Sequence, residues 1–254
     1  MSSKVTAKLR LGAAFSVLLI SLALLAGCKQ EADNSYTPPG YGASVGPLTD
    51  TVWKDESGAT IRFGAEGKVV DVPKDWKTDE FGNEYGDFTY SSGEIFRKVK
   101  KLSELAELLG GKVGTTSKFA TFTVPRTESI QIQDEYGYST TQKKYYYEMQ
   151  VTIQSKNTTF TMENKPTSGD KFVGTYYDEQ GRKEIQINKD NTFVQFNNGG
   201  QSIGYWKYND NGTISVAEKP FDSSNSNQTG TTYYLYPHAL MTYNGYSGSA
   251  EAWK

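Results

Sequence analysis

The chain has 254 residues, with 27 basic and 29 acidic side chains, one cysteine and one histidine. It lacks the basic surplus that nucleic-acid-binding proteins carry, and its short lysine runs are isolated among acids, so we expect no nucleic-acid partner. One cysteine and one histidine cannot supply a disulfide within the chain, a zinc centre or a histidine-based metal cluster.

Residues 1–27 predict a secretory leader. Lys4, Lys8 and Arg10 form a basic start without any acid, and residues 11–27 are apolar apart from two serines. This apolar run is shorter than the ~20 residues that a membrane-spanning helix needs, so cleavage is favoured over retention. Loss of the leader would leave 24 basic against 29 acidic side chains, a net charge near −5.

The leader closes with Leu25-Ala26-Gly27-Cys28, which resembles the lipobox of bacterial lipoproteins. The resemblance implies cleavage before Cys28 and attachment of acyl chains such as palmitate to it, and two or three chains anchor a protein firmly. Lys29 follows Cys28. In the lipoproteins that the motif resembles, an aspartate at this position keeps the protein away from the outer membrane. The lysine therefore implies the outer membrane, on either its periplasmic or its exterior side. The alternative is an ordinary secretory signal beside an incidental cysteine.

Composition divides the remaining chain into a tether and two domains. Residues 28–48 are poor in large apolar side chains and rich in Gly and Pro, which predicts a flexible tether that reaches roughly 3 Å per residue when extended. Residues 49–165 predict a first β domain with one helix. The turn-rich stretch 166–170 then precedes a second β domain over residues 170–254.

Two parts of the mature chain share one pattern of aromatic strands and polar turns. Residues 53–58 (WKDESG) recur as residues 176–181 (YYDEQG), and residues 86–95 correspond to residues 204–214. The agreement favours duplication of one β unit over the alternative of unrelated hairpins.

Alternation of polar and apolar residues predicts about eight short antiparallel strands after residue 170. Such a meander removes its edges by closing into a barrel. The first unit is less regular and contains one short helix, which Ser103 can cap and Gly110 can end. Its apolar face consists of Leu102, Leu105, Leu108 and Leu109. We expect this helix to plug or pack an end of the sheet.

The second unit resembles the lipocalin-like domains of bacterial lipoproteins. The resemblance rests on residues 172–176 (FVGTY), the hairpin around Asp190, and residues 204–208 (GYWKY) followed by Asn211-Gly212. Tyr176 stands where the family usually has Trp. The resemblance implies a small β-barrel, often with a ligand, and it supplies no catalytic residues. The predicted fold class is therefore all-β, an antiparallel meander forming two tandem small lipocalin-like β-barrels or sandwiches.

Catalytic signatures are thin. The single histidine, His238, follows Pro237 between two aromatic strands, as is typical of a turn. Asp55-Glu56 and Asp178-Glu179 could suggest a carboxylate pair, but adjacent acids in an exposed turn normally point apart. We expect no enzyme activity, no cofactor and no metal.

The sharpest candidate contact surface is the loop over residues 73–85. It places Trp76, Phe81 and Tyr85 among charged and turn residues, and exposed aromatics on loops are recognition candidates. The alternative is a loop that folds these rings back as a barrel lid.

These observations predict a membrane-anchored envelope lipoprotein without catalytic activity. It would bind a small molecule, a glycan or a protein partner through a barrel lumen or aromatic loops. The alternative is a structural or surface-coat scaffold without a small-molecule ligand, and an enzyme is the third interpretation.

Overall fold

The computed structural model describes residues 48–133, 136–197, 199–221, 230–244 and 249–254. The predicted leader, Cys28 and the tether up to residue 47 lie outside these ranges. The secondary structure is almost entirely β, in agreement with the predicted fold class.

Ten strands and one helix make up the first part of the described chain. Their bounds are β1 Val52–Lys54, β2 Thr60–Phe63, β3 Val69–Asp71, β4 Glu84–Ser91, β5 Glu94–Lys101, α1 Glu104–Leu108, β6 Thr116–Thr123, β7 Arg126–Gln133, β8 Ser139–Tyr146, β9 Glu148–Ile153 and β10 Lys156–Met162. Lys74–Trp76 forms a 3-10 turn.

Eight of these strands form the first barrel, in the antiparallel order β3-β2-β1-β10-β9-β6-β5-β4. Its two edge strands meet through an isolated bridge between Lys68 and Thr89, so the barrel is nearly closed. Aromatic side chains fill its interior, where the ring of Phe63 lies 4.9 Å from that of Tyr90 and 5.6 Å from that of Phe122.

The second barrel is an uninterrupted meander in which each strand pairs with the next. Its strands are β11 Gly174–Tyr177, β12 Glu184–Ile187, β13 Thr192–Asn197, β14 Gly200–Tyr208, β15 Ile214–Ala217, β16 Thr231–Tyr236, β17 Ala239–Tyr243 and β18 Ala250–Trp253. Backbone bonds of 2.8 and 2.7 Å between Tyr177 and Lys254 join its first and last strands.

A 3-10 turn, Gly169–Phe172, covers one end of the second barrel. The Phe172 side chain is fully buried in the barrel core. Gly169 lies so close to the indole of Trp206 that a Cβ would approach it to 2.8 Å, which explains why the turn uses glycine there. At the opposite end the described residues leave this barrel open to a groove.

Both barrels follow the same strand path, and the first contains two insertions. Helix α1 lies between β5 and β6, and the hairpin β7–β8 lies between β6 and β9 as a separate two-stranded sheet. The segments matched in the sequence occupy corresponding strands, β1–β2 with β11–β12 and β4 with β14. Duplication itself stays a prediction.

Helix α1 corrects one expectation. Ser103 does cap it, since its Oγ accepts a hydrogen bond from the Ala106 backbone N at 3.3 Å. However, Leu105, Leu108 and Leu109 are 56, 85 and 79% exposed. The prediction that the helix plugs the sheet is wrong, because aromatic rings already fill the barrel and a five-residue helix has no neighbouring layer to cover it.

Residues 144–154 belong to two strands, β8 and β9, although their run of β-forming residues predicts one continuous strand. It breaks at Tyr147, because β8 pairs only with β7 whereas β9 pairs with β6 and β10.

Candidate functional site

A groove of about 1170 Å³ lies between the hairpin β7–β8 and the open end of the second barrel. We call that open end the mouth and define it by its inward-facing groove residues. They are Gln195, Val216, Thr231, Tyr233, Thr242 and Glu251. The other wall is the hairpin, with Ile130, Ile132, Lys143 and Lys144.

Strand register places the mouth residues on one face. Tyr233 lies opposite Thr242, and Thr242 lies opposite Glu251. Directly opposed residues of antiparallel strands share a face of the sheet. Tyr233 belongs to the barrel core, with its ring centroid 5.5 Å from that of Phe193. Thr242 and Glu251 therefore also point inward, at the end of the barrel away from the 3-10 turn.

Tyrosines fasten the root of the hairpin to the second barrel. The Tyr145 ring stacks on Tyr243 at 4.7 Å, with 20° between the planes. The Tyr145 hydroxyl donates to the Asn244 carbonyl at 3.1 Å, and the Tyr234 hydroxyl donates to the Tyr145 carbonyl at 2.8 Å. The hairpin is thus held at its root while its two isoleucines face the groove.

Tyr147 lies deeper in the same contact. Its hydroxyl accepts from the Leu235 backbone N at 2.5 Å and donates to the Leu235 carbonyl at 3.1 Å. Burial, followed by the neighbouring Tyr236, raises the pKa of Tyr147 well above its ordinary value. This residue joins the two barrels, which belong to one compact unit.

Several other tyrosines are held in their neutral form. Burial raises the pKa of Tyr90, Tyr176 and Tyr236 to about 12. Burial, followed by the nearby Glu251 charge, also raises the pKa of Tyr233. These phenols stay protonated at neutral pH, so each can both donate and accept hydrogen bonds.

The three aromatic residues predicted as a contact surface occupy different environments. Trp76 is only 4% exposed and packs against Phe119, with ring centroids 5.1 Å apart. Tyr85 is half-buried under the guanidinium of Arg97, which lies 3.5 Å from its ring centroid. Phe81 is 62% exposed. The structure does not bring the three onto one open surface, and their role in binding stays a prediction.

Asp79 organises that loop. Its carboxylate accepts hydrogen bonds from the backbone N of Phe81 at 3.0 Å and of Asn83 at 2.9 Å, and from the Tyr85 hydroxyl at 2.9 Å. Burial acts to raise the pKa of Asp79, but these bonds outweigh it and hold the pKa below its usual value. Tyr85 is therefore committed to the loop's own structure.

The paired acids of the sequence belong to turns. Asp55 accepts from the Ala59 backbone N at 2.8 Å, and Asp178 accepts from the Arg182 backbone N at 2.6 Å. Burial acts to raise the pKa of each of these two aspartates, but hydrogen bonds to the carboxylates outweigh it and lower the pKa. Turn formation accounts for these lowered pKa values.

His238 lies in the turn between β16 and β17, as the sequence predicts. Its Nε2 is 2.7 Å from Oδ2 of Asp50. The described residues contain no group of three or more histidine, cysteine or acidic side chains placed to hold a metal ion. Within the same ranges, no helix has the length and apolar character needed to cross a membrane.

The groove could not be predicted from the sequence, because its two walls come from distant parts of the chain. The one available signal was the tyrosine runs at 145–147 and 233–236, which place rings on both faces of their strands.

The chain matches no protein-family model, no curated protein and no solved structure.

Proposed function

We propose that this chain is a lipid-anchored envelope lipoprotein that binds a ligand in the groove at the mouth of its second barrel. The proposal extends to anchoring at Cys28, to the outer membrane as location, and to the absence of catalysis. The groove is the observation that carries the binding role.

Two properties of the groove support this role. Its volume of about 1170 Å³ is somewhat larger than that of most small-molecule sites, which commonly measure about 300–1,000 Å³, so a small molecule fits within it. It combines apolar surface from Ile130, Ile132 and tyrosine rings with amide, hydroxyl and charged groups. Such a mixture suits an amphipathic ligand or a glycan, since tyrosine offers both a flat apolar face and a hydroxyl.

Because side chains fill the interiors of both barrels, we expect the ligand to bind at the mouth. The core of the second barrel includes Phe172, Ile185 and Trp253, all almost fully buried, and the first barrel is filled by aromatic rings. Small barrels are commonly filled by side chains in this way.

The test is native mass spectrometry of the delipidated mature protein, purified from the organism that encodes it. We expect a small molecule to stay bound to the wild type. Thr231→Trp would place an indole in the mouth from an exposed position and should release it. Thr175→Trp, at an exposed strand position outside the groove, is the matched control. A ligand that Thr231→Trp retains, or a wild type that carries none, contradicts the proposal.

A structural scaffold is the second candidate. The filled barrels and the exposed leucines of α1 favour it, since a displayed apolar surface suits contact with another envelope protein. Protein without a small molecule, recovered after mild crosslinking in a defined complex with envelope proteins, would support the scaffold.

Anchoring is tested separately from binding. Cys28→Ala should abolish incorporation of labelled palmitate and move the protein from the membrane fraction to the soluble fraction. Unchanged labelling or unchanged fractionation would contradict the lipoprotein assignment.

A further inference from the structure

One edge of the hairpin strand β8 borders the groove. Four consecutive residues of this strand, 142–145, line it. Successive side chains of a strand point to opposite faces, so a run of four neighbours includes both faces. The groove therefore contacts the edge of β8 as well as the face that carries Ile130 and Ile132 on β7.

Pairing within the hairpin shows which backbone groups point to that edge. Ile132 lies opposite Thr140, and the Thr140 hydroxyl donates to the Ile132 carbonyl at 3.5 Å, so this carbonyl points toward β8. In an antiparallel ladder, such a hydrogen-bonded pair alternates with a pair whose N–H and C=O groups point away from the partner strand. Thr141, Lys143 and Tyr145 therefore direct these groups outward, away from β7.

The second barrel already uses this edge at its root. The Tyr145 carbonyl accepts a hydrogen bond from the Tyr234 hydroxyl of the second barrel at 2.8 Å, which agrees with its outward direction. Further along the strand, β8 pairs only with β7 in the described sheets, and no other backbone bond of the described ranges reaches Thr141 or Lys143. The backbone donors and acceptors of these two residues thus continue the edge without a partner.

Strand β8 has few of the features that normally protect an edge. Natural edge strands are short, bulged, charged or interrupted by proline. Here all eight residues pair with β7 without a shift in register, and the strand contains no proline. Its only charges are two lysines, and the Lys144 ammonium lies 5.3 Å from the centre of the Tyr146 ring. The edge is therefore long and regular enough to pair with another strand.

We propose that the ligand of the groove is a short extended peptide that pairs with β8 as an added strand. An extended peptide carries a regular row of N–H and C=O groups that matches this edge, and its alternate side chains would contact the groove walls. It would lie about 4.8 Å from β8, and five residues would span roughly 17 Å. This inference rests on the proposed function, because it names the class of ligand in that groove.

The first test compares two synthetic peptides on the ¹⁵N-labelled mature protein. One is acetyl-Thr-Val-Thr-Val-Thr-amide, and the other is the same peptide with a methyl group on the backbone nitrogen of each residue. The methylated peptide keeps its side chains but cannot donate from any residue to a strand edge. From amide chemical shifts, we expect the unmethylated peptide to bind with a Kd about tenfold lower, because backbone bonds to β8 are lost in the other.

Hydrogen exchange tests the edge itself, with neighbouring residues as controls. In the free protein, the amides of Thr141 and Lys143 should exchange fast, whereas those of Gln142 and Lys144 are bonded to β7. The unmethylated peptide should slow exchange at Thr141 and Lys143 and leave Gln142 and Lys144 unchanged.

Matched proline variants test the same edge from the protein side. Lys143→Pro removes an outward N–H without removing a bond of the hairpin, and it should weaken peptide binding about tenfold. Ser129 lies opposite Lys143 in β7 and does not line the groove. Ser129→Pro removes an N–H from the other edge of the hairpin and should keep the affinity. Lys143→Gln controls for the lost charge and should also keep it.

Each other outcome overturns the assignment. Equal affinities of the two peptides, no binding at millimolar concentration, or no slowing of exchange at Thr141 and Lys143 all exclude an added strand. Unchanged affinity in a folded Lys143→Pro variant does the same. If that variant unfolds the hairpin, the comparison of the two peptides on the wild type decides alone.

The proposed function fails independently, when the host-purified protein carries no ligand or when Thr231→Trp retains it. A host ligand that Thr231→Trp releases, but that yields no amino acids on acid hydrolysis, would overturn only the peptide assignment.

Discussion

Removal of one hydroxyl, in Tyr147→Phe, should weaken the contact between the barrels measurably. The pairing of β15 with β16 starts at Ile214 opposite Tyr233, so no residue of β15 lies beside Leu235. The Tyr147 hydroxyl occupies that place and bonds to both the N and the O of Leu235, at 2.5 and 3.1 Å. Phenylalanine keeps the ring but leaves two backbone groups unpaired.

The expected loss is about 2 kcal/mol in the free energy of unfolding. An unpaired buried polar group costs about 1–3 kcal/mol, and the low end applies to each group here because the bonds are only part-buried. Urea denaturation measures the loss, and hydrogen exchange should show faster exchange of the Leu235 amide. Tyr146→Phe is the neighbouring control, since its hydroxyl donates only to the exposed Glu128. Equal stability of the two variants, with unchanged Leu235 exchange, would refute this reasoning.

Three further outcomes are expected. Trp53→Phe should destabilise the protein by about 1 kcal/mol more than Trp253→Phe. The Trp53 indole donates to Thr51 at 2.7 Å, whereas the buried Trp253 N–H has no partner among the described residues. Equal urea midpoints of the two variants would contradict this. Trp76→Ala should cost about 3–5 kcal/mol of stability and Phe81→Ala less than about 0.5 kcal/mol, by thermal unfolding, since only Trp76 is buried; similar losses would place both rings in one environment. The raised tyrosine pKa values mean that the folded state holds the phenol protons more tightly than the unfolded chain does. The contribution of these tyrosines to stability is therefore complete below pH ~10. It is lost as the pH rises through about 12. Tyrosinate absorbance should then rise in two phases, the second coinciding with unfolding, and a single phase near pH 10 would contradict it.

The strands of the second barrel were predictable because their signal is local. Ile185 and Ile187 alternate with polar residues and are both buried. Asn211 and Gly212 predict a hairpin turn, and Gly212 has a φ of +90° between β14 and β15. Period-two patterns and turn residues depend on neighbours along the chain, so they remain informative without knowledge of the tertiary structure.

The sequence was less informative where the outcome depends on distant residues. The leucines of α1 have a helical spacing, but spacing cannot show whether another layer covers them. Trp76 sits in a charged loop, and its burial depends on Phe119 and Phe160, which come from β6 and β10. The groove has the same origin, because a hairpin inserted in one barrel lies over the mouth of the other.

That insertion has a thermodynamic consequence. A ligand in the groove would contact the hairpin of the first barrel and the mouth of the second, so it would bind fully only when both barrels are folded. By mass action, a ligand at 100 times its Kd adds about 2.7 kcal/mol to the stability of the state that binds it. Both barrels would share this gain, and saturation with ligand should merge their unfolding into one cooperative transition.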